Sequence, residues 1–221
     1  MEEIIHFDKQ LLLMLNGSDS LFFDSVIMTL TTATTWIPLY LALFYVVCKA
    51  NRLKTDILLV LAGAGLCVLF AGTIDDEIVK PLVARWRPTH DPEIGSFVDV
   101  VDGYRGGRFG FFSAHASNTF SIAIFISLLM RQRLLTVSLV CWSLVNCYTR
   151  LYLGVHYPGD ITVGLIWGGF VGWLVYRIHA WARQRWGTPR PTFYPLTLCL
   201  VPIIVLLLTI TFAIGKAIAT T

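Results

Sequence analysis

Residues 56–79, DILLVLAGAGLCVLFAGTIDDEIV, decide the class of this chain. From Ile57 to Ile74 no side chain is charged, and the apolar residues run as a block instead of alternating. Crossing the hydrocarbon core of a bilayer takes about 20 mostly apolar residues in a helix. Working outward by the same measure, further spans are expected at 25–48, 114–130, 134–152, 159–178 and 195–215, the third of the six being short. Composition agrees: 56% of the 221 residues are hydrophobic, 14% are charged, and the mean hydropathy is +0.68. So little charge excludes a disordered chain, a coiled coil and a nucleic-acid binder with a solvated basic face. A soluble enzyme would lack the polar surface to cover itself. The expected fold is all-α and polytopic, one domain over residues 1–221.

Residues 3–15 set Ile4, Ile5, Leu11, Leu12 and Leu15 among charged positions, which predicts an amphipathic helix lying in the membrane interface. Glu2, Glu3 and Asp8 oppose the basic start of a cleavable signal peptide. Gly164, Gly168 and Gly172 recur every four residues, a small stripe that lets a neighbouring helix approach closely. The five cysteines are odd in number and form no C-x-x-C or Cys/His cluster, so they read as small buried hydrophobes.

With six spans, both termini share one side. The opposite side holds Lys49, Arg52, Lys54, Arg131, Arg133, Arg177, Arg183, Arg185 and Arg190 against Asp56 alone, a net of +8 facing −5. Positive loops stay cytoplasmic. The termini and residues 80–113 are therefore expected to face outward, which in a bacterium is the periplasm or the exterior.

Three outward stretches concentrate polar chemistry: Lys80-PLVARW-Arg87-Pro88, Phe112-Ser113-Ala114-His115, and Thr149-Arg150-LYLGV-His156-YPG-Asp160. Lys80, Arg87 and Arg150 are cations from separate segments. Each could snorkel to the interface, or together they could neutralise a phosphoryl group. Ser113 precedes a helix whose free N–H groups and dipole favour an anion, and His115 lies one turn in. Pro158 suits the first position of a helix, putting Asp160 in its opening turn. From there Asp160 can reach back to His156, leaving the other imidazole nitrogen free to act as nucleophile. Taken alone, His156 and Asp160 would read as a structural pair tying a loop to a helix.

The spacing K-x6-R-P, S-x-H, R-x5-H-x3-D resembles the three-part signature of the type 2 phosphatidic acid phosphatase superfamily, over roughly residues 55–180. The middle stretch has Ala114 where that family usually has Gly, and the third opens with Thr149 where it usually has Ser. The resemblance implies a phosphohistidine at His156, oriented by Asp160, with His115 as proton donor and then base. It also implies phosphate binding by Lys80, Arg87, Arg150 and the Ser113 backbone N–H, with no metal or other cofactor. Asp75, Asp76 and Glu77 read as an ion-pair set or an interfacial anchor. Arg105 and Arg108, in the Gly-rich stretch 86–112, belong either to a lid touching a headgroup or to a solvated connector.

The expected partners are the bilayer and a membrane lipid phosphate, without nucleic acid or an obligate protein partner. Undecaprenyl pyrophosphate is the first expectation for substrate. The alternatives are lipid A at its 1- or 4'-phosphate, phosphatidylglycerol phosphate and phosphatidic acid. Transfer of the phosphoryl group between lipids is a second enzyme reading. A transporter or scaffold would place its polar residues near the midplane, whereas here they fall at span ends.

Overall fold

The computed structural model describes residues 2–188 and 192–220, so Arg190 of the charge count lies outside the described residues. Helices α1 (Glu2–Leu15) and α2 (Leu21–Thr31) are followed by a 3-10 turn (Ala33–Trp36) and α3 (Ile37–Ala50). Helix α4 (Lys54–Val68) continues through π-helical turns at Leu69–Thr73 and Asp75–Val79 into α5 (Lys80–Val83). After a long connection come α6 (Ala114–Met130), α7 (Arg133–Tyr152), α8 (Pro158–Trp186) and α9 (Leu196–Thr220). Among the described residues the strand-like structure is one isolated bridge, Trp86 with Phe109.

Among the described residues, five segments are long and apolar enough to cross a membrane: Ala33–Ala50, Lys54–Val83, Arg133–Tyr152, Pro158–Trp186 and Leu196–Thr220. Ala114–Met130 and Leu21–Thr31 are apolar but shorter. The expected span 25–48 is therefore not one helix. Its run of threonines competes with the helix for its own carbonyls. Thr32 Oγ1 donates to the Met28 carbonyl and Thr35 Oγ1 to that of Thr29, while Trp36 Nε1 takes that of Leu30. Pro38, with no N–H to give, then opens α3. The fifth expected span, 159–178, runs on to Trp186.

Helix α6 sits at the centre, with ten of its 17 residues buried. It packs against α8 through the glycine stripe. A Cβ on Gly164 would come 2.8 Å from the Ser113 carbonyl oxygen, and one on Gly168 or Gly172 would come 2.5 Å from that of Ser117 or Ser121. Four-residue spacing on both helices thus sets glycine against serine backbone, turn by turn. On the other side of α6, the π-helical turns leave carbonyls free of the regular ladder. Ser117 Oγ donates to Ala71 O at 3.0 Å and Trp167 Nε1 to Phe70 O at 3.1 Å. Trp36, Phe125, Leu139, Trp142 and Val175 fill the core between helices. Leu58, Ile166 and Phe212 point outward and are more than 60% exposed, as side chains that meet lipid do.

Candidate active site

The starts of α6 and α8 are tied together at one end of the bundle. Ser113 caps α6, its Oγ accepting from Ala116 N, and its own N–H donates to the Asp160 carbonyl at 3.2 Å. Pro158 opens α8, and Asp160 Oδ2 accepts from Tyr157 N at 3.0 Å, closing the first turn. Between α7 and α8 the chain turns at Gly154, whose φ of +62° favours glycine. That turn delivers His156 into the interior, where it is 1% exposed.

Arg87 reaches His156 from the other side. After α5 the backbone stops helically at Ala84 and runs extended, bonded to the stretch 108–110. Extended residues alternate faces, so Arg85 and Arg87 point inward and Trp86 outward. Arg87 Nη1 donates to Val155 O at 3.1 Å and to His156 Nε2 at 3.0 Å, and Nε donates to Phe109 O. A guanidinium can only donate, so Nε2 is the acceptor and the imidazole proton rests on Nδ1. Burial first, then the charges of Arg87, Arg150 and Lys80, hold His156 well below the usual imidazole range. The ring is therefore neutral at neutral pH, with a lone pair on Nε2.

The expected hydrogen bond from His156 to Asp160 is looser than one. Nδ1 lies 3.6 Å from Asp160 Oδ2, beyond hydrogen-bond range. Asp160, fully buried, instead accepts from Tyr157 N and from Arg85 Nη1 at 2.7 Å.

The remaining cations divide into two kinds. Lys80 is matched: Asp75 lies 2.9 Å from its Nζ and Asp76 also pairs with it, which makes those two acids an ion-pair set. Asp75 in turn accepts from Phe112 N at 3.0 Å. Arg150 is 3% exposed, donates to Thr31 Oγ1 at 2.6 Å and to Tyr104 Oη at 3.0 Å, and among the described residues has no hydrogen-bond partner on its Nε. Among the described residues neither Arg87 nor Arg150 meets a carboxylate. Burial, then the like charge of Arg150, pull Arg87 below the usual guanidinium value. Two unmatched guanidinium groups beside a neutral imidazole have the charge and the donors to take up a dianion.

His115 is partly exposed in the first turn of α6. The Ser113 N–H, expected on the phosphate, is engaged by Asp160, leaving the first-turn N–H groups of Ala114 and His115 as donors the helix does not satisfy. Arg105 and Arg108 are exposed: Arg105 Nη1 donates to Thr89 O, and Arg108 stacks on Trp86 at 4.2 Å. Sequence reasoning missed Arg85, and Asp8 with it. The signal for Arg85 was the alternation in Arg85-Trp86-Arg87, two cations on one face of an extended segment.

A family model described as the PAP2 superfamily matches residues 54–184, which contain all three polar stretches. Over 195 residues, 86% of each chain, the protein is 43% identical to a lipid A 4'-phosphatase of Bacteroides thetaiotaomicron. It is 34% identical to a lipid A 4'-phosphatase of Porphyromonas gingivalis, over 84% of this chain and 78% of that one. A decaprenylphosphoryl-5-phosphoribose phosphatase of Mycobacterium tuberculosis is 36% identical over 56% of this chain and 62% of its own. No solved structure matches. By its site and its relatives alike, the protein belongs to the PAP2 superfamily and is a membrane lipid phosphatase.

Proposed function

We propose that this protein removes the 4'-phosphate of a lipid A-type glycolipid through a phosphohistidine on His156. The observation that carries the substrate is the 43% identity, over 86% of both chains, to a lipid A 4'-phosphatase. It favours lipid A over undecaprenyl pyrophosphate, the first expectation from sequence. A polyprenyl-linked phosphate is the second reading, favoured by the mycobacterial relative.

The phosphate enters between Arg87 and Arg150, whose unmatched charges it neutralises, and Arg87 leaves His156 Nε2 for a phosphate oxygen. The Nε2 lone pair then forms the N–P bond as the bond from phosphorus to the sugar oxygen breaks. His115, protonated once the phosphate dianion lies beside it, delivers that proton to the departing oxygen. The phosphorylated imidazole keeps its Nδ1 proton and its positive charge, facing the Asp160 carboxylate. Water next attacks phosphorus, His115 takes its proton, and the N–P bond breaks to release inorganic phosphate. Lys80, Arg87, Arg150 and the start of α6 stabilise charge on the equatorial oxygens throughout.

In the membrane we place six spans, taking α2 and α3 together as the first and counting α6 among them. Helix α6 is about 25 Å long, and its neighbours shelter it from lipid. Helix α1 lies at the outer interface of the cytoplasmic membrane, its exposed Ile4, Phe7 and Met14 turned to lipid. The site faces outward, a placement that the charge bias supports.

The test is phosphate release by purified protein in detergent with EDTA. The panel is lipid A, undecaprenyl pyrophosphate, phosphatidylglycerol phosphate and phosphatidic acid, with His156→Ala beside the wild type. Release from lipid A at the 4' position, abolished in the variant, is expected. Preference for another lipid overturns the substrate, and substantial turnover by His156→Ala overturns the covalent mechanism.

A further inference from the structure

Arg85 differs from the two guanidinium groups that await an anion, because its charge is already met twice. Nη1 donates to Asp160 Oδ1 at 2.7 Å, and Nη2 donates to Asp8 Oδ2 at 2.6 Å. Its guanidinium lies 4.2 Å from the centre of the Tyr157 ring, which flanks it. Held on three sides, Arg85 is not a free ligand for phosphate. It is a fixed strut between α1 and the carboxylate that faces His156.

Helix α1 grips this end of the bundle through two successive side chains. Asp8 Oδ1 accepts from Gly159 N at 2.7 Å, in the first turn of α8 and one residue before Asp160. The approach is close enough that a Cβ on Gly159 would come 2.8 Å from Asp8 Oδ2. Lys9 pairs with Asp91 at 2.9 Å, and Asp91 accepts from Tyr157 Oη at 2.7 Å. Tyr157 is the residue between His156 and Pro158, so both grips end on the catalytic segment 156–160.

We propose that Asp8 and Arg85 form a positioning clamp, through which the seating of α1 fixes the Asp160 carboxylate 3.6 Å from His156 Nδ1, where it meets the positive charge that the imidazole gains on attack. Both are positioning residues: neither touches the phosphate. The N-terminal helix is then part of the catalytic apparatus as well as an interfacial element. The proposal rests on the reading of His156 as nucleophile.

The test uses full-length protein in detergent and the phosphate of the panel above that the wild type releases fastest. In Arg85→Ala, kcat falls about 100-fold, as a misplacement near 1 Å does, while KM stays within about threefold. Asp8→Asn lowers kcat about tenfold, and Arg85→Lys recovers part of the loss. The double variant Asp8→Asn/Arg85→Ala is no worse than Arg85→Ala, because residues acting through one contact are not additive. Gel filtration and helical circular dichroism establish that each variant is folded; should Arg85→Ala not fold, Asp8→Asn and Arg85→Lys carry the same kcat-against-KM comparison. Wild-type kcat in the folded variants, a loss carried by KM alone, or additive losses overturns the clamp. His156→Ala, measured alongside, separates the two readings. If it is inactive while the clamp variants turn over normally, only the clamp fails. If it is active, the nucleophile fails first.

Discussion

At the end of the bundle that carries His156, Arg87 and Arg150 are buried or partly buried and meet no carboxylate among the described residues, and an imidazole is kept neutral beside them. At the opposite end, buried Asp56 is satisfied on all sides. Its Oδ1 accepts from Thr188 N at 3.0 Å and lies 3.6 Å from Arg183 Nε, and its Oδ2 accepts from the Thr188 hydroxyl. One end leaves two guanidinium groups without a counter-ion, and the other completes the partners of a buried carboxylate. Uncompensated buried charge lowers stability unless a ligand supplies the partner, whereas a completed pair fastens two segments together. Function and stability are thus drawn from different ends of the same helices, and substitutions should separate them.

Arg150→Ala bears on the first half of that contrast and has the largest expected effect. Losing a fork of donors aimed at the transferring phosphoryl group should lower kcat/KM by about 10³-fold. The same change removes a buried cation, so the unfolding midpoint should hold or rise, by about 2–4 °C for each kcal/mol recovered. Thermal denaturation of the ligand-free protein, run beside the kinetics, checks both. A large fall in the midpoint would mean that Thr31 and Tyr104 already compensate Arg150, and the two ends would not differ in kind.

Gly168→Val addresses what holds the two ends in one body. Its Cβ would press on the Ser117 carbonyl oxygen, a backbone atom that cannot swing away. The expected cost is about 1–3 kcal/mol of stability. Because the same seam joins Ser113 N to the Asp160 carbonyl, activity should fall with it, by about tenfold. Unchanged activity at a lowered midpoint would show that the site tolerates a wider seam.

The parts of this arrangement legible in the sequence are those set by short-range chemistry. The apolar runs marked the helices, the four-residue glycine spacing marked the seam, and Pro158 with Asp160 marked the start of α8. Other features depend on partners distant in the chain. Arg85 gains its role only when residues 85–87 pair with 108–110, and Asp8 meets a residue 77 positions away. The break after Thr31 was written in its threonines, but hydropathy weighs their methyl groups and ignores hydroxyls that bond backward to the preceding turn. The geometry also redistributes roles among motif residues. The Ser113 N–H goes to a carbonyl, and Asp160 bonds Arg85 more closely than it approaches His156.

Asp56→Ala is expected to change activity least, and it examines the second half of the contrast. The substitution strips the acceptor from Thr188 N and from its hydroxyl and removes the carboxylate beside Arg183. Leaving such groups unsatisfied costs about 1–3 kcal/mol, so the unfolding midpoint should drop by several degrees. The proposed phosphate site lies at the far end of α4 and α8, and the charges acting on its His156 are those of Arg87, Arg150 and Lys80. Turnover should therefore stay within about twofold of wild type below the new midpoint. If kcat falls steeply while the protein remains folded, the ends are coupled along α8, and the division between a stabilising end and a reactive end gives way to one rigid rod that both must hold.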